Sequence, residues 1–162
     1  MSIVRIEVDV NKQQLCAYDQ YDETVFSSLV STAKNGVGQR FGSECTPLGN
    51  HVIRAKIGNG CAPNTVFQAR RPTGEIYTPE LRRLHPHRDW ILTRVLWLSG
   101  TEPGHNRLGQ VDTMRRHIYI HGAPDVDPIG KPGSRGCIKM RNHDIIELFD
   151  NAPVGTPVWI HG

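Results

Sequence analysis

Apolar residues recur with a period of two from the start of this chain. Ile3, Val4, Ile6, Val8 and Val10 stand among polar and charged neighbours, which suits a strand with one buried face rather than a helical stripe. Asn11-Lys12 makes a tight turn into a second strand over 13–18, and 24–32 reads as a third, giving an antiparallel meander. Gly36, Gly38, Gly42, Pro47 and Gly49 punctuate a loop before a strand over 51–57. The apolar, β-branched runs 91–98 and 117–120 and the closing segment 156–160 add further strands. Two segments read as helical. One covers 78–84, with Thr78 as cap and Pro79 at the first position. The other covers 142–150, with Asn142 as cap, Asp144 in the first turn and Ile145, Ile146, Leu148 and Phe149 as its apolar face. The expected fold is mostly β, a sandwich or barrel with one or two short helices. Residues 58–90 are rich in glycine and proline and resist assignment; a loop excursion of that length suits a lid over a site.

With 162 residues, the span 1–162 reads as a single domain with its own core. Its 38% hydrophobic and 22% charged residues match a soluble protein, and no stretch approaches the roughly 20 apolar residues of a membrane span. No membrane partner is expected. A scattered net charge of +3 gives no reason to expect nucleic acid either. The opening residues lack the basic, apolar and small-residue pattern of a secretory leader, so a cytoplasmic location is expected. A periplasmic one is the alternative if a leader is missing. Cys16, Cys45, Cys61 and Cys137 lack metal-type spacing and read as free thiols. No metal or other cofactor is expected; Pro86 denies His85 and His87 a helical metal-pair geometry.

Chemistry concentrates between Tyr119 and Met140, which read Y-I-H-G-A-P-D-V-D-P-I-G-K-P-G-S-R-G-C-I-K-M. Cys137 lies between Gly136 and Ile138, sixteen positions after His121 at a strand end. A thiol attacks as thiolate, which needs a base and positive surroundings. His121 can be the base, and Lys131, Arg135, Lys139 and Arg141 supply charge with no acidic residue among them. Glycines 122, 130, 133 and 136 let the backbone turn and present amides to a reacting oxygen. A lone cysteine is usually a small buried apolar group. The paired spacing is what points to a cysteine acyl-transfer site. The group that orients His121 stays open between a backbone carbonyl, Asp125 and Asp127.

These residues resemble a known family. His121-Gly122 followed by Gly130-x-Pro132-x-Ser134-Arg135-Gly136-Cys137-Ile138-Lys139-Met140 is similar to the catalytic motif of the L,D-transpeptidases (YkuD). Ser31-Thr32-Ala33-Lys34, then Thr46-Pro47-Leu48-Gly49, resembles that family's earlier strand and TPxG element. The resemblance implies a mostly-β YkuD fold and attack by Cys137, with His121 as base, on peptidoglycan stem peptides or muropeptides. The broken bond would be the one before the terminal D-alanine. Gly136, Ser134 and Arg135 would shape the oxyanion and substrate pocket, with Tyr119 and Gly122 flanking the base and Lys139 close by. Covalent inhibition by carbapenems is implied too. Two positions depart from the pattern: Arg135 stands where histidine is common, and Lys139 where arginine is. A permanent cation at 135 cannot shuttle protons, so acid/base work falls to His121, and Lys139 loses the bidentate fork. The leading expectation is a cytoplasmic L,D-carboxypeptidase of murein recycling. The alternative is a periplasmic L,D-transpeptidase forming 3–3 cross-links or lipoprotein attachments.

Overall fold

The computed structural model describes residues 2–162, and it is mostly β. Ten strands form one curled sheet: β1 (Arg5–Asp9), β2 (Gln14–Tyr18), β3 (Thr24–Leu29), β4 (Gly49–Ile57), β5 (Thr65–Gln68), β6 (Arg71–Ile76), β7 (Ile91–Gly100), β8 (Tyr119–Gly122), β9 (Ile138–Met140) and β10 (Pro157–His161). The path runs β3-β2-β1-β10-β4-β7-β5-β6, with β8 on β7 and β9 on β8. Two helices join it, α1 (Pro79–Leu84) and α2 (Asn142–Asn151).

The period of two in β1 and β2 does what it should. Ile6, Val8, Leu15 and Ala17 are buried while their neighbours are half-exposed. These residues meet Ile53, Leu96, Leu98, Ile120, Ile138 and Met140, and α2 lays Ile145, Leu148 and Phe149 on the same core. Each such side chain contributes about 1.5–3 kcal/mol on burial, so the face of the sheet under α2 is where much of the fold is held.

Two expectations need correction. Asn142 is not the cap of α2. That position is Arg141, which makes no side-chain cap bond, and Asn142 is the first helical residue with its side chain turned elsewhere. Residues 58–90 are not a loop. They form the β5–β6 hairpin and α1, and β5 pairs with β7 through Val66–Leu92 and Phe67–Ile91. Within this stretch Thr78 caps α1 as expected, accepting from Leu81 N at 3.0 Å, with Pro79 opening the helix.

The hairpin turns through Ala69 and Arg70, with Gln68 paired to Arg71. Both turn residues have positive φ, 49° and 63°. Two-residue hairpin turns ask for this, and Asn-Gly is their usual solution. Side chains bearing Cβ resist it, at roughly 1–2 kcal/mol each. Ala69→Asn is therefore expected to raise stability by about 1 kcal/mol, or about 2–4 °C in Tm. A thermal melt showing no rise would contradict this reading of the turn.

Candidate active site

The nucleophile turn is clamped from two directions. Ser31 and Lys139 exchange backbone hydrogen bonds at 2.9 Å, Gly133 N and Ser134 N both donate to Thr32 O, and Lys34 N donates to Ser134 O. Thr46 Oγ1 accepts from Ala33 N and donates to Gly136 O, both at 2.9 Å. Residues 31–34 and Thr46, far away in sequence, thus hold the segment carrying Cys137. Inside the turn, Ser134 Oγ accepts from Gly136 N at 3.1 Å and donates to Cys137 O at 2.5 Å. Gly136 has φ +128°, and a Cβ there would press on Ile118 and the Cys45 carbonyl, so only glycine fits.

Parallel pairing of β8 with β9 sets Ile120 opposite Ile138 and His121 opposite Lys139. Alternation along β8 puts Tyr119 and His121 on one face, the face that Cys137 shares just before β9. Cys137 Sγ accepts from the Tyr119 amide at 3.3 Å, and its hydrogen rests on the His117 carbonyl at 3.4 Å. The sulfur lies in the floor of an open cavity of about 410 Å³.

His121 is 1% exposed, and its Nδ1 lies 2.6 Å from Gly122 O. A carbonyl can only accept, so Nδ1 carries the hydrogen and Nε2 keeps its lone pair. The orienting group is a backbone carbonyl. Asp125 is bonded instead to Asn142, and Asp127 pairs with Arg82 at 2.7 Å and Lys139 at 3.4 Å. Burial holds the His121 pKa below the usual histidine value, with the nearby Asp89 charge working the other way.

A buried polar knot fixes the end of β8. Thr93 sits at a bulge in β7 with φ +75°, unusual for a β-branched residue. Its Oγ1 donates to Asn142 Oδ1 at 2.6 Å and accepts from Asn64 N at 3.0 Å. Asn142 Nδ2 reaches Asn64 Oδ1 and Asp125 Oδ1. A Cβ on Gly122 would come within 2.4 Å of Asn142 Oδ1 and 2.6 Å of Leu92 O. Asn142 left its capping role for this knot, and Gly122 is the residue small enough to lie against it.

The expected thiolate is corrected. Burial pushes the Cys137 thiol up to about 12, and Asp89 adds in the same direction. The Tyr119 amide, Arg116 and Lys139 oppose this without reversing it. Of the four cations expected to favour thiolate, Lys139 is paired with Asp127, Lys131 is exposed, Arg141 stands at the start of α2, and only Arg135 lines the cavity. Nor does the α2 dipole reach the sulfur, since β9 and Arg141 interpose about 13 Å of extended chain.

Of the residues expected at the site, Cys137, Tyr119 and Arg135 line the cavity. Gly136 and Ser134 build the turn beneath it, and the Gly136 amide is committed to Ser134, which leaves the Cys137 amide as the turn's nearest donor for an oxyanion. Lys139 and Gly122 take other places, one in an ion pair and the other against Asn142. Besides the apolar Ala69, Ile91 and Ile118, four further polar residues line the cavity: Arg70, Asp89, Arg116 and His117. His117 has φ +58°, stacks at 25° on Tyr119, and has its pKa lowered by burial and then by Arg70. Arg70 donates to Tyr119 Oη at 3.1 Å and lies 4.7 Å over the Trp97 ring.

A half-buried thiol, a tautomer-fixed imidazole and a cation-rimmed cavity define a cysteine acyl-transfer site. The model of the L,D-transpeptidase catalytic domain (YkuD) matches residues 3–160, and the chain belongs to that family. Its similarity to the "Probable L,D-transpeptidase ErfK/SrfK" of Escherichia coli K12 is 56% identity over 84 residues, 51% of this chain and 26% of that one. The chain thus matches about a quarter of the length of curated relatives such as this one. The L,D-transpeptidase of Enterococcus faecium superposes with a TM-score of 0.59 at 17% identity, over 99% of this chain and 50% of that one. The catalytic domain from the E. faecium enzyme, acylated by ertapenem, gives 0.56 at 17% identity over 99% and 98%. At such identities these structures show the fold.

With the thiol held up to about 12 and the imidazole lowered, the resting pair at neutral pH is neutral. The ultraviolet thiolate absorbance of wild type minus Cys137→Ala is expected to stay flat from about pH 6 to pH 9, well below the thiol's value. A thiolate band already present at pH 7 would show a preformed ion pair and contradict this.

Proposed function

We propose that this chain is a cysteine enzyme cleaving the bond before the terminal D-alanine of peptidoglycan tetrapeptide stems, with water as acceptor: an L,D-carboxypeptidase. The observation carrying the reading is Cys137 Sγ in the floor of an open cavity, on the strand face of a neutral His121 whose Nε2 is free to accept a proton.

The sulfur attacks the scissile carbonyl carbon while its hydrogen leaves the His117 carbonyl for His121 Nε2. Charge then develops on the carbonyl oxygen, where one amide donor is worth about 3 kcal/mol. As the tetrahedral adduct collapses, the C–N bond breaks and His121 returns the proton to the departing D-alanine amine. Water next attacks the thioester, giving a proton to His121, which passes it back to sulfur as the carboxylic acid product leaves and ionises in solvent.

The cavity rim favours water over an amine. Arg70, Arg116 and Arg135 outnumber Asp89, so an ammonium acceptor meets net positive charge while water meets no penalty. Hydrolysis of soluble muropeptides suits the cytoplasm, where no sacculus offers an acceptor. The name of the E. coli relative favours the second reading, transfer to an amine in the periplasm with 3–3 linked products.

Incubation with a disaccharide tetrapeptide is expected to release D-alanine and leave tripeptide alone; cross-linked dimers would establish the second reading. Cys137→Ala should be inactive, and His121→Ala should lose about 10²–10⁴-fold in kcat. A carbapenem such as ertapenem, which acylates the E. faecium domain, is expected to add its mass to the wild type and not to Cys137→Ala. Unchanged activity in His121→Ala would remove the imidazole from the mechanism.

A further inference from the structure

Cleaving an amide does not by itself require three guanidinium groups around the sulfur, and the three are not equivalent. Arg116 spends its donors on Gly38 O, Gln39 O, Ser43 Oγ and Cys45 O. It pins the loop ahead of Thr46. Arg135 is exposed and gives Nη2 to His87 O at 3.0 Å, tying the segment after α1 to the nucleophile turn. Arg70 is half-buried and has only neutral partners, the Tyr119 hydroxyl and the face of Trp97. Among the described residues no carboxylate pairs with it.

A guanidinium held this way is oriented without being neutralised, and most of its five donors stay free for a ligand. The backbone that presents it is strained at both Ala69 and Arg70, a state that persists where surrounding structure enforces it and that clusters at ligand clamps. Tyr119 links the two ends of the site: its hydroxyl accepts from Arg70 and its amide donates to Cys137 Sγ. A group gripped by Arg70 is thus set in register with the reacting atom through one buried residue.

We propose that Arg70 is the carboxylate-binding residue of this cavity, taking a free carboxylate of the donor peptide beside the scissile bond. The proposal rests on the peptide-cleavage reading above and adds what fixes the peptide in place. A planar fork on a carboxylate gives two parallel charge-assisted hydrogen bonds. Arg135 carries a like fork, but it is exposed and tied to the His87 carbonyl, whereas Arg70 is half-buried and oriented by Tyr119 and Trp97. A tetrapeptide with diaminopimelate at its third position carries two such carboxylates, one on the terminal D-alanine and one on the diaminopimelate side chain.

The test is calorimetric binding to Cys137→Ala protein, which cannot turn over the peptide. Three ligands are compared: the tetrapeptide acid, its C-terminal amide, and the tetrapeptide with lysine in place of diaminopimelate. One of the two altered peptides is expected to bind about 10–100-fold more weakly, which names the carboxylate. Adding Arg70→Met should weaken the acid by a similar factor and remove the difference between acid and altered peptide, while Arg70→Lys restores part of it. The assignment is overturned if Arg70→Met weakens all three peptides equally, if it binds the acid as tightly as the parent, if neither altered peptide loses affinity, or if the acid does not bind. The cleavage reading fails separately: wild-type protein that binds the acid but releases no D-alanine would sink that reading and leave Arg70's role standing.

Discussion

The hydrogen bond from His121 Nδ1 to the Gly122 carbonyl, 2.6 Å long and sealed from solvent, decides which ring nitrogen can accept a proton. Much of the site serves that bond. Gly122 must lie flat against Asn142 and Leu92 for its carbonyl to point at the ring, and Asn142 is held by Thr93, Asn64 and Asp125. Thr93 keeps a left-handed backbone at a bulge of β7 to do so. The strain is local, and the burial of Leu92, Val95 and Leu96 around it supplies the stabilisation that maintains it.

The same burial explains why the nucleophile rests as a thiol. Desolvation opposes charge on sulfur and on imidazole alike, so the pair stays neutral in the ground state and separates charge only as the carbon–sulfur bond forms. Basic residues nearby in sequence do not reverse this: Lys139 is paired with Asp127 and only weakens the effect, and Lys131 is exposed. A neutral thiol is also less prone to adventitious oxidation, which follows thiolate character.

How much of this could be read from the residues depended on range. The strands over 13–18 and 51–57, the cap at Thr78 and the apolar face of α2 are local patterns and were legible. The hairpin was not: β6 reads R-P-T-G-E-I, and Pro72 and Gly74 mark it as loop, yet it survives as an edge strand because β5 beside it is paired to β7. The spacing of His121 and Cys137 was readable, whereas the depth of their burial, which sets their protonation, was not. His117 was not within reach of strand alternation, because it turns with φ +58° before β8 begins. Arg70, Asp89 and Arg116 arrive through long-range folding and left no local signal. Asn142 misled because the cap it resembles lost to a buried hydrogen-bond knot.

All of this turns on a neutral His121 with its hydrogen on Nδ1. Nitrogen-15 NMR of the histidine ring, assigned by comparison with His121→Ala, reads the tautomer and charge directly. The account predicts one protonated nitrogen, Nδ1, and one bare nitrogen, Nε2, at pH 7, with no conversion to imidazolium until the pH falls well below the ordinary histidine value. Two protonated ring nitrogens at pH 7, or a hydrogen on Nε2 instead, would contradict it.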